Sequence, residues 1–143
     1  MNVKDYPILY VDDDNANRVV MKHNLAPEFT LLVADSGATA LEVMAREPVS
    51  ILLADQRMPG MSGVDLAERT LELHPEVMRV IITAYSDLEV TIDAINRGQV
   101  SRFIKKPWIR EELAAVMRES VLTCHNARII KEMQQRLSQI DRA

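Results

Sequence analysis

Two hydrophobic periods alternate along this chain. Short β-branched or aliphatic runs, among them Ile8-Leu-Tyr-Val11, Ser50-Ile-Leu-Leu-Ala-Asp55, Val80-Ile-Ile82 and Phe103-Ile104, are separated by segments whose apolar residues recur at helical spacing. The pattern predicts strands near residues 7–12, 29–34, 50–55, 77–83 and 101–105. Helices are expected near 15–26, 37–47, 63–74, 87–98 and from 109 onward. Breakers agree with these limits: Gly37 opens the second helix, Pro48 ends it and Pro59-Gly60 makes a turn after Asp55. Pro75 closes the third helix, and Gly98 is expected to cap the fourth.

Strand runs alternating with helices imply βαβ units, and hence an α/β fold built on a parallel sheet. The expected architecture is a flavodoxin-like doubly wound (βα)5 sandwich, a parallel five-stranded sheet of order 2-1-3-4-5 with an extended C-terminal helix. Such sheets hold ligands outside the carboxyl ends of their strands. There the chain places Asp12-Asp13 after the first strand, Asp55 at the end of the third, Thr83 after the fourth and Lys106 after the fifth.

Three carboxylates brought together repel one another, and a divalent cation or raised pKa values relieve the repulsion. Oxygen-only ligands with room for water suit Mg²⁺ or Mn²⁺. A cation bridging the acids leaves one oxygen of Asp55 free to attack phosphorus. Lys106 can neutralise the transferring group while Thr83 donates a hydrogen bond to it. Each residue also has a plainer reading: Asp12 and Asp13 as helix caps, Thr83 as a strand residue, Lys106 as a solvated charge. Asp14 or Asn15 suits the capping task better, and Lys105 suits the solvated one, since alternation and Pro107 favour Lys106 as the residue facing the site.

Composition narrows the class. At 143 residues, 48% hydrophobic and 27% charged, the chain can bury one core. A net charge of -4 argues against direct nucleic acid binding by this segment. A single cysteine, Cys124, excludes an internal disulfide framework and reads as a packing residue, and His23, His74 and His125 lack ligand spacing. The polar start has no signal-peptide profile, and no apolar stretch approaches the ~20 residues of a membrane helix, so a cytoplasmic protein without membrane contact is expected.

From Ile109 no Gly or Pro intervenes before Ala143, so the last helix is expected to run past the globule. Ile130, Met133, Leu137 and Ile140 recur at the a and d spacing of a coiled coil, with Arg136 and Asp141 at g and e positions suited to a parallel pair. Two readings stay open: a dimerising or output-linking helix, and a frayed one.

The motifs Tyr10-Val-Asp-Asp13, Asp55 with Met58-Pro-Gly60, Ile82-Thr83-Ala84 and Lys105-Lys106-Pro107 occur in order on successive strand ends. Over residues 6–122 the chain thereby resembles a response regulator receiver domain of two-component signal transduction, of the chemotaxis-regulator-like kind. The resemblance implies Asp55 as phosphoacceptor, Asp13 as direct metal ligand and Asp12 as a second acid acting through metal-bound water. Asp55 and the backbone carbonyl of Arg57 complete the protein's share of a Mg²⁺ (or Mn²⁺) shell. Thr83 and Lys106 bind the phosphoryl group, Lys106 precedes a cis peptide to Pro107, and Phe103 fills the aromatic switch position.

The implied donor is a sensor histidine kinase or phosphotransfer protein, and the implied output face is the fourth helix, fifth strand and fifth helix. On this reading residues 1–122 form the receiver and 123–143 a helical extension, a coiled-coil linker through which a homodimer can form. The chain is then no enzyme beyond its own phosphoryl uptake and hydrolysis. Large residues at Arg57 and Tyr85, which flank the path of hydrolytic water in this family, are expected to slow that hydrolysis. A phosphohydrolase of the aspartyl-phosphate type would carry an acid where Arg57 stands, and a nucleotide switch would need a phosphate-binding loop that the four glycines do not supply. The alternative is a phosphorylation-independent pseudo-receiver, a protein-interaction or dimerisation module. The output domain or partner is not encoded in any motif here.

Overall fold

The computed structural model describes residues 1–84 and 88–142. Five strands, β1 (Ile8–Val11), β2 (Leu31–Ala34), β3 (Ile51–Asp55), β4 (Met78–Thr83) and β5 (Arg102–Lys105), form one sheet of order β2-β1-β3-β4-β5. Every neighbouring pair is parallel. β1 and β3 are buried along their whole length, whereas the edge strands β2 and β5 are mostly half-buried. Burial at consecutive positions means that both faces of the sheet are covered, as a parallel sheet requires.

Five helices do the covering: α1 (Asn15–Leu25), α2 (Gly37–Arg46), α3 (Gly63–Leu73), α4 (Leu88–Gly98) and α5 (Arg110–Asp141). Strand alternation divides the core in two. Ile8 and Tyr10 of β1 pack with Met21 of α1 and Leu113 and Met117 of α5, while Leu9 and Val11 pack with Val64 and Leu66 of α3 and Ala94 of α4. The register aligns Val11 with Ala34 and Ala54, Asp55 with Ile82, and Thr83 with Lys105, so the strands end together at one edge.

Local chemistry sets the helix starts. Asp14 caps α1 by accepting from the Ala16 and Asn17 N–H groups, which leaves Asp12 and Asp13 to other work. Ser62 and Asp65 form a reciprocal capping box on α3. The expectation for Gly98 is corrected: Gly98 is the last helical residue of α4, and Gln99 after it takes the left-handed backbone, at φ 47°. Glycine is needed at 98 for close approach, since a Cβ there would come within 2.8 Å of the Ala67 Cβ of α3. The end of α4 is closed by Arg79 of β4, whose guanidinium is buried and donates to the carbonyls of Gly98 (2.7 Å) and Val77 (2.5 Å). Arg97 joins α4 to α3 through Asp65 and Glu68.

α5 runs for 32 residues, about 48 Å at the helical rise, and its last fully buried residue is Val121. Where it leaves the sheet, the Tyr6 hydroxyl and His125 Nδ1 are hydrogen-bonded at 2.7 Å, and Arg128 lies 5.3 Å from the centroid of the Tyr6 ring. Cys124 is half-buried there and takes the packing role expected of it. From Ile130 to Arg142 every residue is exposed. Among the described residues no helix is long and apolar enough to cross a membrane.

Candidate functional site

At the carboxyl edge of the sheet, Asp12 follows β1 and is 1% exposed. A carboxylate can be buried only if its oxygens are satisfied. Asp12 Oδ1 accepts from the Asp14 N–H (2.9 Å), and Oδ2 accepts from the Tyr10 hydroxyl (2.6 Å) and from Asn17 Nδ2 (3.0 Å). Asp13, next in sequence, is exposed. Asp55 closes β3 and is 4% exposed. Its backbone is held by the neighbouring turn: Gln56 N–H donates to the Ile82 carbonyl, and Gln56 Oε1 accepts from the Val64 N–H at the start of α3. Gly63 lets α3 begin against this strand end, since a Cβ would lie 2.7 Å from the Asp55 carbonyl oxygen. Gly60 takes the positive φ, 77°, that a Pro-Gly turn demands.

Lys106 reaches the site from beyond β5. Its N–H donates to the Thr83 carbonyl, and Nζ lies 2.5 Å from Asp55 Oδ1. The Lys106–Pro107 peptide is cis, as the resemblance implied. Thr83 is buried at the end of β4, and Lys105 is exposed. Asp12, Asp13 and Asp55 each offer one carboxylate oxygen such that all lie within 4.8 Å of one another. An octahedral Mg²⁺ with oxygens at about 2.1 Å spans at most about 4.2 Å between opposite ligands, so a small closure of the cluster fits it.

Electrostatics favour that ion. Burial raises the pKa of Asp55 above the ordinary carboxylate value; the Lys106 ammonium opposes the rise, and the charges of Asp12 and Asp13 add to it. Burial, then the hydrogen bond to Asp12, pushes the Tyr10 phenol far above its usual range, so it remains a donor throughout working pH.

The structure thus brings Asp12, Asp13, Asp55, Thr83 and Lys106 to one edge. Phe103 lies half-buried on β5, two residues before Lys105, and Arg57 is exposed in the loop after Asp55. Tyr85, expected to flank the water path, lies outside the described residues. Sequence reasoning gave no role of their own to Tyr10, Asn17 and Gln56. Tyr10 carried a signal, since residues two apart on a strand share a face and place its phenol beside Asp12; Gln56 carried none.

A family model for the response regulator receiver domain matches residues 8–118. The chain belongs to that family. It is 35% identical over 121 residues to the hydrogenase transcriptional regulatory protein HoxA of Cupriavidus necator, covering 85% of this chain and 25% of that protein. It is 34% identical to the DNA-binding transcriptional regulator NtrC of Escherichia coli, covering 78% of this chain and 24% of NtrC. The receiver domain of an HD domain-containing protein from Pseudomonas fluorescens superposes with a TM-score of 0.81 at 29% identity, covering 85% of this chain and 98% of that one. This receiver chain therefore spans about a quarter of the length of the curated relatives it matches.

Proposed function

We propose that this receiver takes a phosphoryl group from the phosphohistidine of a sensor histidine kinase or phosphotransfer protein onto Asp55, with Mg²⁺ (or Mn²⁺) bound at the acidic cluster. The observation that carries the reading is the pairing of Lys106 with Oδ1 of a buried Asp55 beside two further acids. In the transfer, a carboxylate oxygen of Asp55 forms a bond to phosphorus as the phosphorus–nitrogen bond breaks, and the imidazole nitrogen departs with the electron pair. Asp12, Asp13, Asp55 and the Arg57 carbonyl would hold the cation, which would supply positive charge to offset that on the transferring oxygens. Lys106 follows the charge from carboxylate to phosphoryl, and Thr83 donates to a phosphoryl oxygen. A groove of about 570 Å³ lined by Asn17, Val20, Asn24, Lys106 and Trp108 opens beside the lysine and gives the donor protein an apolar surface to cover.

Phosphorylation adds roughly -1.5 to -2 charges at neutral pH. Thr83 moves toward that charge, Phe103 fills the space behind it, and the face made by α4, β5 and α5 shifts its two-state balance toward an output domain or partner. The chain acts on no other substrate. Arg57 and Tyr85 slow the return of the phosphoryl group to water, so Arg57→Asn should shorten its lifetime; an unchanged lifetime removes that role.

The extension past Val121 serves a homodimer through a parallel coiled coil. Ile130, Met133, Leu137 and Ile140 are 55–68% exposed, on a face roughly opposite to Arg128, which meets the domain. A projecting helix of this length is marginal in water unless its apolar stripe is covered. In a parallel pair Arg136 of one copy reaches Asp141 of the other. Met133→Cys in a Cys124→Ser background should give a disulfide-linked dimer on mild oxidation, whereas Lys131→Cys, off the seam, should not. Equal cross-linking at both positions rejects the seam.

The deciding experiment is intact mass after acetyl phosphate and Mg²⁺, with Asp55→Asn alongside. A metal-dependent phosphoryl adduct confined to the wild type is expected. No adduct, together with no Trp108 fluorescence response to beryllofluoride, overturns the reading in favour of a phosphorylation-independent interaction module.

A further inference from the structure

β1 consists of Ile8, Leu9, Tyr10 and Val11, and Tyr10 alone of the four carries a polar atom on its side chain. Tyr10 has no solvent exposure, yet its hydroxyl is not idle: it donates to Asp12 Oδ2 at 2.6 Å. The same oxygen accepts from Asn17 Nδ2 at 3.0 Å, and Asn17 is itself held at the first turn of α1 by the Asp14 cap. Oδ1 is engaged by the Asp14 N–H at 2.9 Å, and the Asp12 backbone carbonyl accepts from Arg18 at 2.7 Å. Asp12 is thus fixed by four donors, three on its carboxylate and one on its backbone carbonyl, while Asp13 stays exposed. For Asp12 to turn Oδ2 toward a bound ion, the Tyr10 hydroxyl would have to give up its bond inside the core, where water cannot replace it.

We propose that Tyr10 is a positioning residue that sets the cation preference of the acidic site, by holding Oδ2 of Asp12 against α1 and denying a bound ion that oxygen as a direct ligand. The inference rests on the cluster being a cation site, and it identifies which cation the geometry selects. Mg²⁺ demands six oxygens in a tight octahedron and keeps several of its waters, so a site poor in direct protein oxygens suits it. Ca²⁺ takes six to eight oxygens at longer range and gains from carboxylates free to become bidentate. Tying down one carboxylate therefore costs Ca²⁺ more than Mg²⁺. Asn17 adds to the restraint from the solvent side of the same oxygen.

Calorimetric titration of Mg²⁺ and of Ca²⁺ into the metal-free full chain tests this, with wild type, Tyr10→Phe and Asn17→Ala compared. Tyr10→Phe should move the Ca²⁺/Mg²⁺ affinity ratio toward Ca²⁺ roughly tenfold, the weight of one hydrogen bond to a charged group. Asn17→Ala, a change on the first turn of α1 that spares the core, should move it the same way by less. A general loss of stability would weaken both ions alike and leave the ratio unmoved. A ratio within about twofold of wild type in both variants, with both still binding Mg²⁺, overturns the role of Tyr10. Absence of Mg²⁺ binding by the wild type overturns instead the reading of the cluster on which the inference rests.

Discussion

The two halves of α5 are one helix with two different reasons to exist. From Leu113 to Val121 its inward residues are buried against β1, β3 and α1, and the helix is a wall of the receiver core. Beyond the Tyr6–His125 contact, the same backbone carries Ile130, Met133, Leu137 and Ile140 into solvent. The first half is held by the chain's own sheet, and the second has an apolar stripe that the chain itself does not cover. Continuity of helix is therefore no sign of continuity of stabilisation.

The sharpest way to break this contrast is to make one kind of change in each half. Leu113→Ala should cost about 2–5 kcal/mol in urea unfolding, through lost burial and the cavity left behind. Leu137→Ala, measured at protein concentrations too low for self-association, should stay within about 0.5 kcal/mol of wild type. Comparable losses at the two positions would mean that the tail folds back as part of the core.

At the junction, Tyr6→Phe removes the hydrogen bond to His125 and should cost about 0.5–1.5 kcal/mol. Hydrogen exchange should quicken for amides after residue 125 more than for those of residues 110–121. Uniform quickening would place Tyr6 with the core rather than at the hinge between halves. Smaller again is the ionic tie on the inner half, where Arg118 donates to both oxygens of Glu28. Arg118, chiefly by that hydrogen bond, lowers the pKa of Glu28. A depressed folded-state pKa gives stability that is present above the ordinary glutamate value and lost as pH falls through the lowered one. Arg118→Ala should therefore lower the melting temperature slightly at pH 7 and leave it unchanged in acid below the lowered Glu28 value. Because both side chains are largely solvated, the shift should also shrink in high salt.

The sheet order, the strand limits and the cluster of Asp12, Asp13, Asp55, Thr83 and Lys106 were legible because they follow from hydrophobic period and from the rule that parallel strands present ligands at their carboxyl ends. The excess length of α5 was legible from its missing breakers. Gly98 was misread because a glycine near a helix end has two uses, backbone freedom and close approach, and only the position of Ala67 distinguishes them. Arg79 escaped for a related reason: its hydrogen-bond partners are backbone carbonyls up to 20 residues away, which have no residue type to recognise. Tyr10 was counted with the aliphatic run it belongs to, and its hydroxyl mattered only once Asp12 was known to be buried.

Gly63 gives the acidic site a vulnerability out of proportion to its chemistry. The helix α3 begins directly against the backbone of Asp55, so the position of the Asp55 carboxylate is inherited from a helix contact. Even one methyl group at residue 63 has to move strand end or helix, and Asp55 moves with whichever yields. The heritable target for silencing this receiver is therefore wider than its acids, hydroxyl and lysine, and it includes a residue with no side chain at all.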